Sequence, residues 1–251
     1  MTSAERRASA GLAGIFALRM LGLFLILPVF AIQARGVPGA TPLLIGLAIG
    51  AYGLTQALLQ IPFGMLSDRI GRKPVILGGL ILFILGSVVA AMAVDIYSVI
   101  LGRLLQGSGA IAAAIMALAA DLTREEVRTR AMAGIGISIA LSFALALVLG
   151  PIVAHWGGLP GLFWLIAALA FMGILILLLV VPNPSHSGLH RDAEPVASQF
   201  RGVLVNGELR RLDFGIFTLH LTMTSLFLVL PLFMRDQGLA PADHWQVYLP
   251  V

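Results

Sequence analysis

Gly64-Met65-Leu66-Ser67-Asp68-Arg69-Ile70-Gly71-Arg72-Lys73-Pro74-Val75-Ile76 is a compact charged island between two long apolar runs. A helix arriving from the N-terminal side must end by about Ile70. Gly71 suits the left-handed turn that closes a helix, and Pro74 suits the first turn of the next one. Arg69, Arg72 and Lys73 put positive charge where a cytoplasmic loop between two membrane spans collects it. Asp68 does not fit a simple anchoring role, because a carboxylate in a basic turn needs a partner. Arg72, one helical turn on, can supply it, or the N-terminal dipole of another helix.

The rest of the chain sets this island in a membrane. Of its 251 residues 59% are apolar and only 11% charged, against about 25% charged in a soluble domain. Mean hydropathy is +0.99. These values describe an all-α integral membrane protein whose first partner is the lipid bilayer. The sequence pI near 10.3 does not imply a nucleic-acid partner, because the basic residues lie in short gaps between apolar runs. With no cysteine in the chain, disulfides, thiol catalysis and thiolate metal sites are excluded. No enzyme, cofactor or metal site is expected. Glu5, Arg6 and Arg7 lead into an apolar run long enough to span, so the first helix reads as an uncleaved anchor.

A spanning helix needs about 20 apolar residues, and the sequence predicts seven such runs: 11–32, 43–64, 74–94, 97–119, 131–153, 159–181 and 212–234. An eighth begins near Gln246. Arg6 and Arg7 precede the first run, and Arg69, Arg72 and Lys73 separate the second from the third. Arg124, Arg128 and Arg130 follow the fourth, while Arg191, Arg201, Arg210 and Arg211 follow the sixth. The alternate gaps hold only Arg35 and Arg235. That asymmetry predicts a cytoplasmic N-terminus. The organisation expected is a six-helix unit over 1–181, a cytoplasmic linker over 182–211, and a further unit starting at 212 and running to 251. Within the linker, apolar residues at Phe200, Val203, Leu204 and Leu209 allow a short surface helix over 198–211.

The island resembles the loop between helices two and three of the major facilitator superfamily of secondary transporters, whose pattern reads G-x-L-[AS]-D-R-x-G-R-[KR]. Gly64, Leu66, Ser67, Asp68, Arg69, Gly71, Arg72 and Lys73 occupy every fixed position. The resemblance implies an N-terminal bundle of six helices in 3+3 inverted repeats. It also implies a second bundle beyond it, and a small-molecule substrate moved by alternating access. It further implies that Asp68 and Arg72 form a charge cluster with Asp121, at the end of helix four, that holds the inner side closed. Arg103-Leu104-Leu105-Gln106-Gly107 is similar to the family's R-x-x-Q-G motif on helix four, whose arginine is linked to proton coupling. A proton gradient is thus the implied energy source, with efflux favoured over uptake. Gly150-Pro151 resembles the start of G-P-x-x-G-G in drug antiporters, but Ala154 and His155 replace the closing glycines.

Gly14-Ile15-Phe16-Ala17-Leu18-Arg19 parallels Gly215-Ile216-Phe217-Thr218-Leu219-His220, so helix seven reads as helix one starting again. That is the pattern of a transporter with two parallel halves, and it predicts that most of the C-terminal bundle is missing from this chain. Two other readings stay open: a transport-incompetent fragment of such a transporter, and a seven-helix receptor. For a retinal protein of the latter class, the sole lysine, Lys73, lies in a loop rather than a span.

Ionisable side chains inside spans are site candidates by default. Arg19 either faces a cavity or snorkels to the surface. Arg103 and Gln106 share a face, and Gly107 and Gly109 allow close helix approach. Tyr52, Gln56 and Gln60 recur every four residues as one polar stripe, lining a cavity or bonding between helices. His220 either matches Arg19 across the repeat or is a buried histidine with one partner. No Asp or Glu sits mid-span; Asp95 marks an outer end, and Asp121 and Asp213 inner ends. Gly134, Ser138, Ser142, Ala146 and Gly150, beside Pro151, form a stripe of small residues for helix packing. Thr123-Arg124-Glu125-Glu126 has the spacing of a capping box.

Overall fold

A computed structural model describes residues 1–183, 202 and 205–248. Helix α1, Ser3–Phe24, opens with a capping box in which Thr2 and Glu5 satisfy each other's backbone N–H groups. It breaks ahead of Pro28, and the span continues as α2, Phe30–Gln33. Next come α3, Pro42–Ile70, capped by Thr41, and α4, Arg72–Ala91. The charged island is therefore mostly helix. Gly71 alone makes the turn, at φ +101°, a conformation that favours glycine. The fourth span is two helices, α5 (Ile96–Ser108) and α6 (Ala112–Asp121).

The fifth and sixth expected spans lie on one 55-residue element, α7, Glu125–Leu179, which bends at Gly158 (φ +60°). Its two limbs run antiparallel. Arg124 at one end bonds Glu5, and the Leu179 carbonyl at the other end bonds Arg7, so both ends return to the start of α1. Six helices among the described residues are long and apolar enough to cross a membrane. The fold at Gly158 makes α7 two of seven crossings. Helix α8, Gly207–Asp236, starts with Asn206 as its cap, five residues before the expected boundary at 212. Of the surface helix expected over 198–211, residues 198–201, 203 and 204 lie outside the described residues, and 207–211 belong to α8. A final turn, α9 (Trp245–Tyr248), stands where the eighth span was expected to begin.

Helix α1 is wedged between the two α7 limbs. Ser142 donates to the Ala17 carbonyl at 2.9 Å, and a Cβ on Gly150 would lie 2.7 Å from the Leu25 carbonyl. Gly22 faces Ile166 on the other limb. The small-residue stripe thus meets α1 from Ser142 to Gly150, while Ser138 bonds only within its own helix. Gly134 has open space beside it, so packing there is a correction to the expectation: the period fixes a face but not how far the neighbour extends. Two apolar clusters fill the unit. One, around Leu25, Phe30, Phe83 and Phe163, lies toward the Gly158 end. The other, around Leu12, Ile15, Leu80 and Leu118, lies toward the charged island. Helix α8 joins mainly through Phe227 and Met234, and most of its length is exposed.

Candidate functional site

Two groups of polar side chains stand out, one at the island end and one where the two apolar clusters meet. At the island end Arg72 is the hub. It pairs with Asp68 one turn back, donates to Asp121 at 3.3 Å, and donates to the Ser67 hydroxyl at 2.8 Å. The tight turn at Gly71 makes this possible, because it starts α4 within reach of the last turn of α3. The Arg72 and Asp121 side chains are each 13% exposed, so their attraction is screened far less than at an open surface. Neither acid is left unpaired. Arg69 is exposed, and Gly64 faces Ala113 of α6.

Around this hub the helix ends are fastened. Lys73 donates to the Val181 carbonyl and Arg7 to that of Leu179, cations meeting the free carbonyls at the end of α7. Glu5 accepts from Arg124 Nε at 2.8 Å and from its backbone N–H at 3.3 Å. That carboxylate raises the pKa of the Arg124 guanidinium. The expected capping box at Thr123 does not form. Arg124 is the cap position without a side-chain bond, and Thr123 instead donates to Ala119. Glu5 does the capping from another helix, which the sequence spacing concealed.

The second group is a polar seam. Arg103 is 2% exposed; it donates to Gln106 Oε1 at 2.8 Å and the Ala48 carbonyl at 3.3 Å, and lies 4.6 Å over the Tyr52 ring. Gln106 passes the chain on to Ser87 at 2.8 Å, and Ser87 to the Phe83 carbonyl. Tyr52 meets Phe83 edge to face at 6.4 Å. Phe83 also meets Arg19, 1% exposed, whose guanidinium lies 5.6 Å from that ring. The order Arg19, Phe83, Tyr52, Arg103 is a ladder of two cations and two rings reaching across four spans.

Arg19 also closes the break in the fourth span. Gly107 cannot carry a Cβ, because Tyr52 backbone and Thr55 occupy that place, and Gly109 is pressed against Gly79 of α4. With neighbours on both sides the helix gives way, and Gly109 takes ψ 54°. Its carbonyl accepts from Ile111 at 3.0 Å and from Arg19 Nη2 at 2.9 Å. A cation thereby meets the negative end of α5, an interaction worth about 0.3–2 kcal/mol. Arg19 Nη2 also reaches Gln56 Oε1 at 3.4 Å. Gln60, further along the stripe, is half-buried with its Oε1 unpartnered among the described residues. Arg19 therefore does not snorkel.

His220 does not join this seam. It is exposed on α8 and bonds only to the Ile216 carbonyl of its own helix. The repeat gave its register, but α8 touches the rest of the unit at its other end. Pro151 is buried beside a cavity of about 490 Å³ lined with Gln33, Ala154, His155, Gly158 and Pro241. Among the described residues no His, Asp or Glu cluster suited to a metal is found. Ser87 and Thr55, both bonding between or within the seam helices, were not singled out from sequence. Hydroxyls inside otherwise apolar runs were the available signal.

Comparison with known proteins fits this architecture. Residues 12–251 match the Major Facilitator Superfamily. The chain is 55% identical to the inner membrane transport protein YajR of Escherichia coli (strain K12), across 99% of this chain and 55% of that one. It is 38% identical to an uncharacterized transporter of Buchnera aphidicola subsp. Schizaphis graminum (strain Sg), across 99% of this chain and 63% of that one. The chain thus spans little more than half the length of these curated relatives. In fold it is similar to a bacterial homolog of the human lysosomal transporter Spinster, solved inward-facing and unoccupied. There the TM-score is 0.81 at 16% identity, covering 98% of this chain and 58% of that one.

Proposed function

The chain belongs to the major facilitator superfamily, and from that premise we propose that it is the N-terminal bundle, with the opening of a second, of a secondary transporter. Its residues form one wall of a path for a small solute; the opposing wall is the rest of a C-terminal helical bundle. The two walls rock to expose the path to each side in turn. The protein sits in a bacterial inner membrane with its N-terminus in the cytoplasm. A proton gradient drives it without any bound cofactor, in the direction of efflux.

The observation that carries the reading is Arg72 held between Asp68 and Asp121. This contact joins α3, α4 and the end of α6 at one face, so it ties the inner ends of the bundle into one closed body. Losing one carboxylate loosens that end. Arg103 with Gln106, on the resemblance stated above, is the candidate for proton coupling, and the Tyr52, Gln56, Gln60 stripe for the solute path.

The absence of cysteine makes single-cysteine labelling a clean test. In intact cells an impermeant maleimide should modify V94C, whose parent side chain is 76% exposed at the outer end, and spare S3C until the cells are opened. Q60C should then react severalfold faster from the inner side when Asp68→Asn is added. Labelling of S3C from outside would reverse the orientation, and an unchanged Q60C rate would remove the gating role of Asp68.

A further inference from the structure

We propose that Arg19 receives the oxyanion, carboxylate or phosphate, of the transported solute. The inference rests on the transporter reading above, which supplies the opening through which a solute reaches a side chain that is 1% exposed here. Closing the break in α5–α6 occupies only Nη2 of Arg19. Nε and Nη1 are buried with no hydrogen-bond partner among the described residues. A guanidinium has five N–H donors and no acceptor, so Nε–H and the two Nη1 hydrogens each call for an acceptor.

No carboxylate is at hand, and Gln60 Oε1, a buried acceptor without a partner, makes no hydrogen bond to Arg19 among the described residues. Arg19 and Arg103 enter no salt bridge among the described residues, while Arg72 and Arg124 both do. Rings and neutral carbonyls stabilise the two guanidinium groups but leave both charges in place. Tyr52 Oη, beside the same ladder, is a second buried donor without a partner. Buried donors that stay unpaired are costly, and a site holding several of them selects a ligand that accepts. A net positive seam also attracts an anion and repels a cation. Gln56 and Gln60, half-buried on one stripe, lead from the island end toward Arg19 and can carry a polar solute inward. Arginine rather than lysine fits the role, because its guanidinium keeps three N–H donors, one on Nε and two on Nη1, after Nη2 is used.

The test uses purified protein in detergent, titrated calorimetrically with potassium phosphate, with sodium benzoate, and with tetraphenylphosphonium chloride as a cationic control. Binding of phosphate or benzoate is expected, and which of them binds separates the two oxyanion types. Arg19→Gln should weaken that binding at least tenfold; Arg19→Lys, which keeps the charge with fewer donors, severalfold. If Arg19→Gln does not fold, Arg19→Lys decides. Failure of both anions to bind, or binding unchanged in the folded Arg19 variants, overturns the proposal; the former outcome leaves the charge to a carboxylate of the companion bundle. Tetraphenylphosphonium binding at the expense of both anions overturns it too. Glu208→Gln, on the exposed first turn of α8 and outside both polar groups, should bind the anion as wild type does. Anion binding with no effect of Asp68 on Q60C labelling would sink the gating reading and leave this one standing.

Discussion

The island end and the polar seam handle positive charge in opposite ways. Arg72 and Arg124 meet carboxylates, whereas Arg19 and Arg103 meet carbonyls, amides and aromatic faces. The difference follows from solvent. Near the membrane surface a carboxylate keeps part of its hydration and adds little cost. At mid-membrane it would be a second buried charge, with a desolvation penalty of several kcal/mol that only excellent geometry repays. Neutral ligands avoid that penalty, and they leave the seam net positive. The ends are thus built to hold shape, and the middle is built to be completed.

The sharpest way to break this contrast is Arg72→Ala. It leaves Asp68 and Asp121 facing one another across the α3–α6 contact with no cation between them. Removing one member of a buried pair costs about 3–5 kcal/mol; with Asp68 26% exposed, a loss of about 2–3 kcal/mol is expected here after screening. Adding Asp121→Asn to Arg72→Ala should restore part of it by removing the like-charge contact. Unfolding by denaturant in a fixed detergent reads both values. A loss under about 0.5 kcal/mol, the range of ordinary surface changes, would show that carboxylate pairing does not organise the island end.

Arg103→Met should cost less, although Arg103 is the more buried residue. It gives up bonds to Gln106 and Ala48 and its place over Tyr52, each worth about 0.5–2 kcal/mol. It also removes a guanidinium whose presence at the centre of a span is unfavourable by about 2.5–3.5 kcal/mol on insertion scales. Gln106 keeps its bond to Ser87. The net expectation is a change of about 1 kcal/mol in either direction, well inside the Arg72→Ala effect. A larger loss than Arg72→Ala would mean that the seam, not the island, carries the fold.

Sequence made the island legible because its chemistry is local. Asp68 and Arg72 are one turn apart, and Gly71 and Pro74 fix the bend between them. Asp121 joined the cluster only through the family resemblance, since nothing in its own neighbourhood points to Arg72. The seam was half visible. The four-residue recurrence of Tyr52, Gln56 and Gln60 gave a face, but not that Arg19 packs on Phe83 and Arg103 on Tyr52. The break at Gly109 was hidden, because hydropathy runs unbroken through 97–119 while the cause is crowding by α3 and α4. Likewise the α7 fold reads as two spans, with Gly157-Gly158-Leu159-Pro160 as the only local hint that they meet without a loop. His220 shows the limit of a repeat: it transfers register, while the surroundings come from helices packed against it.

The smallest expected effect tests the solvent argument at the opposite end. Asp95 meets no cation among the described residues. It caps α5 by accepting from the Ser98 hydroxyl at 2.6 Å and the Ser98 backbone N–H at 2.7 Å. Those bonds, the hydroxyl's first, hold the carboxyl below its ordinary value of 3.8. A carboxyl whose pKa is lower in the folded state stabilises that state fully above its unfolded value and loses the contribution as pH falls through the folded value. Asp95→Ala should therefore lower the unfolding midpoint slightly at about pH 6, and the gap from wild type should close as pH drops below the ordinary carboxylate range. A gap that stays constant down that range would mean the cap acts through shape alone. In that case charge at the α5 cap, unlike charge at the island, contributes nothing to the fold.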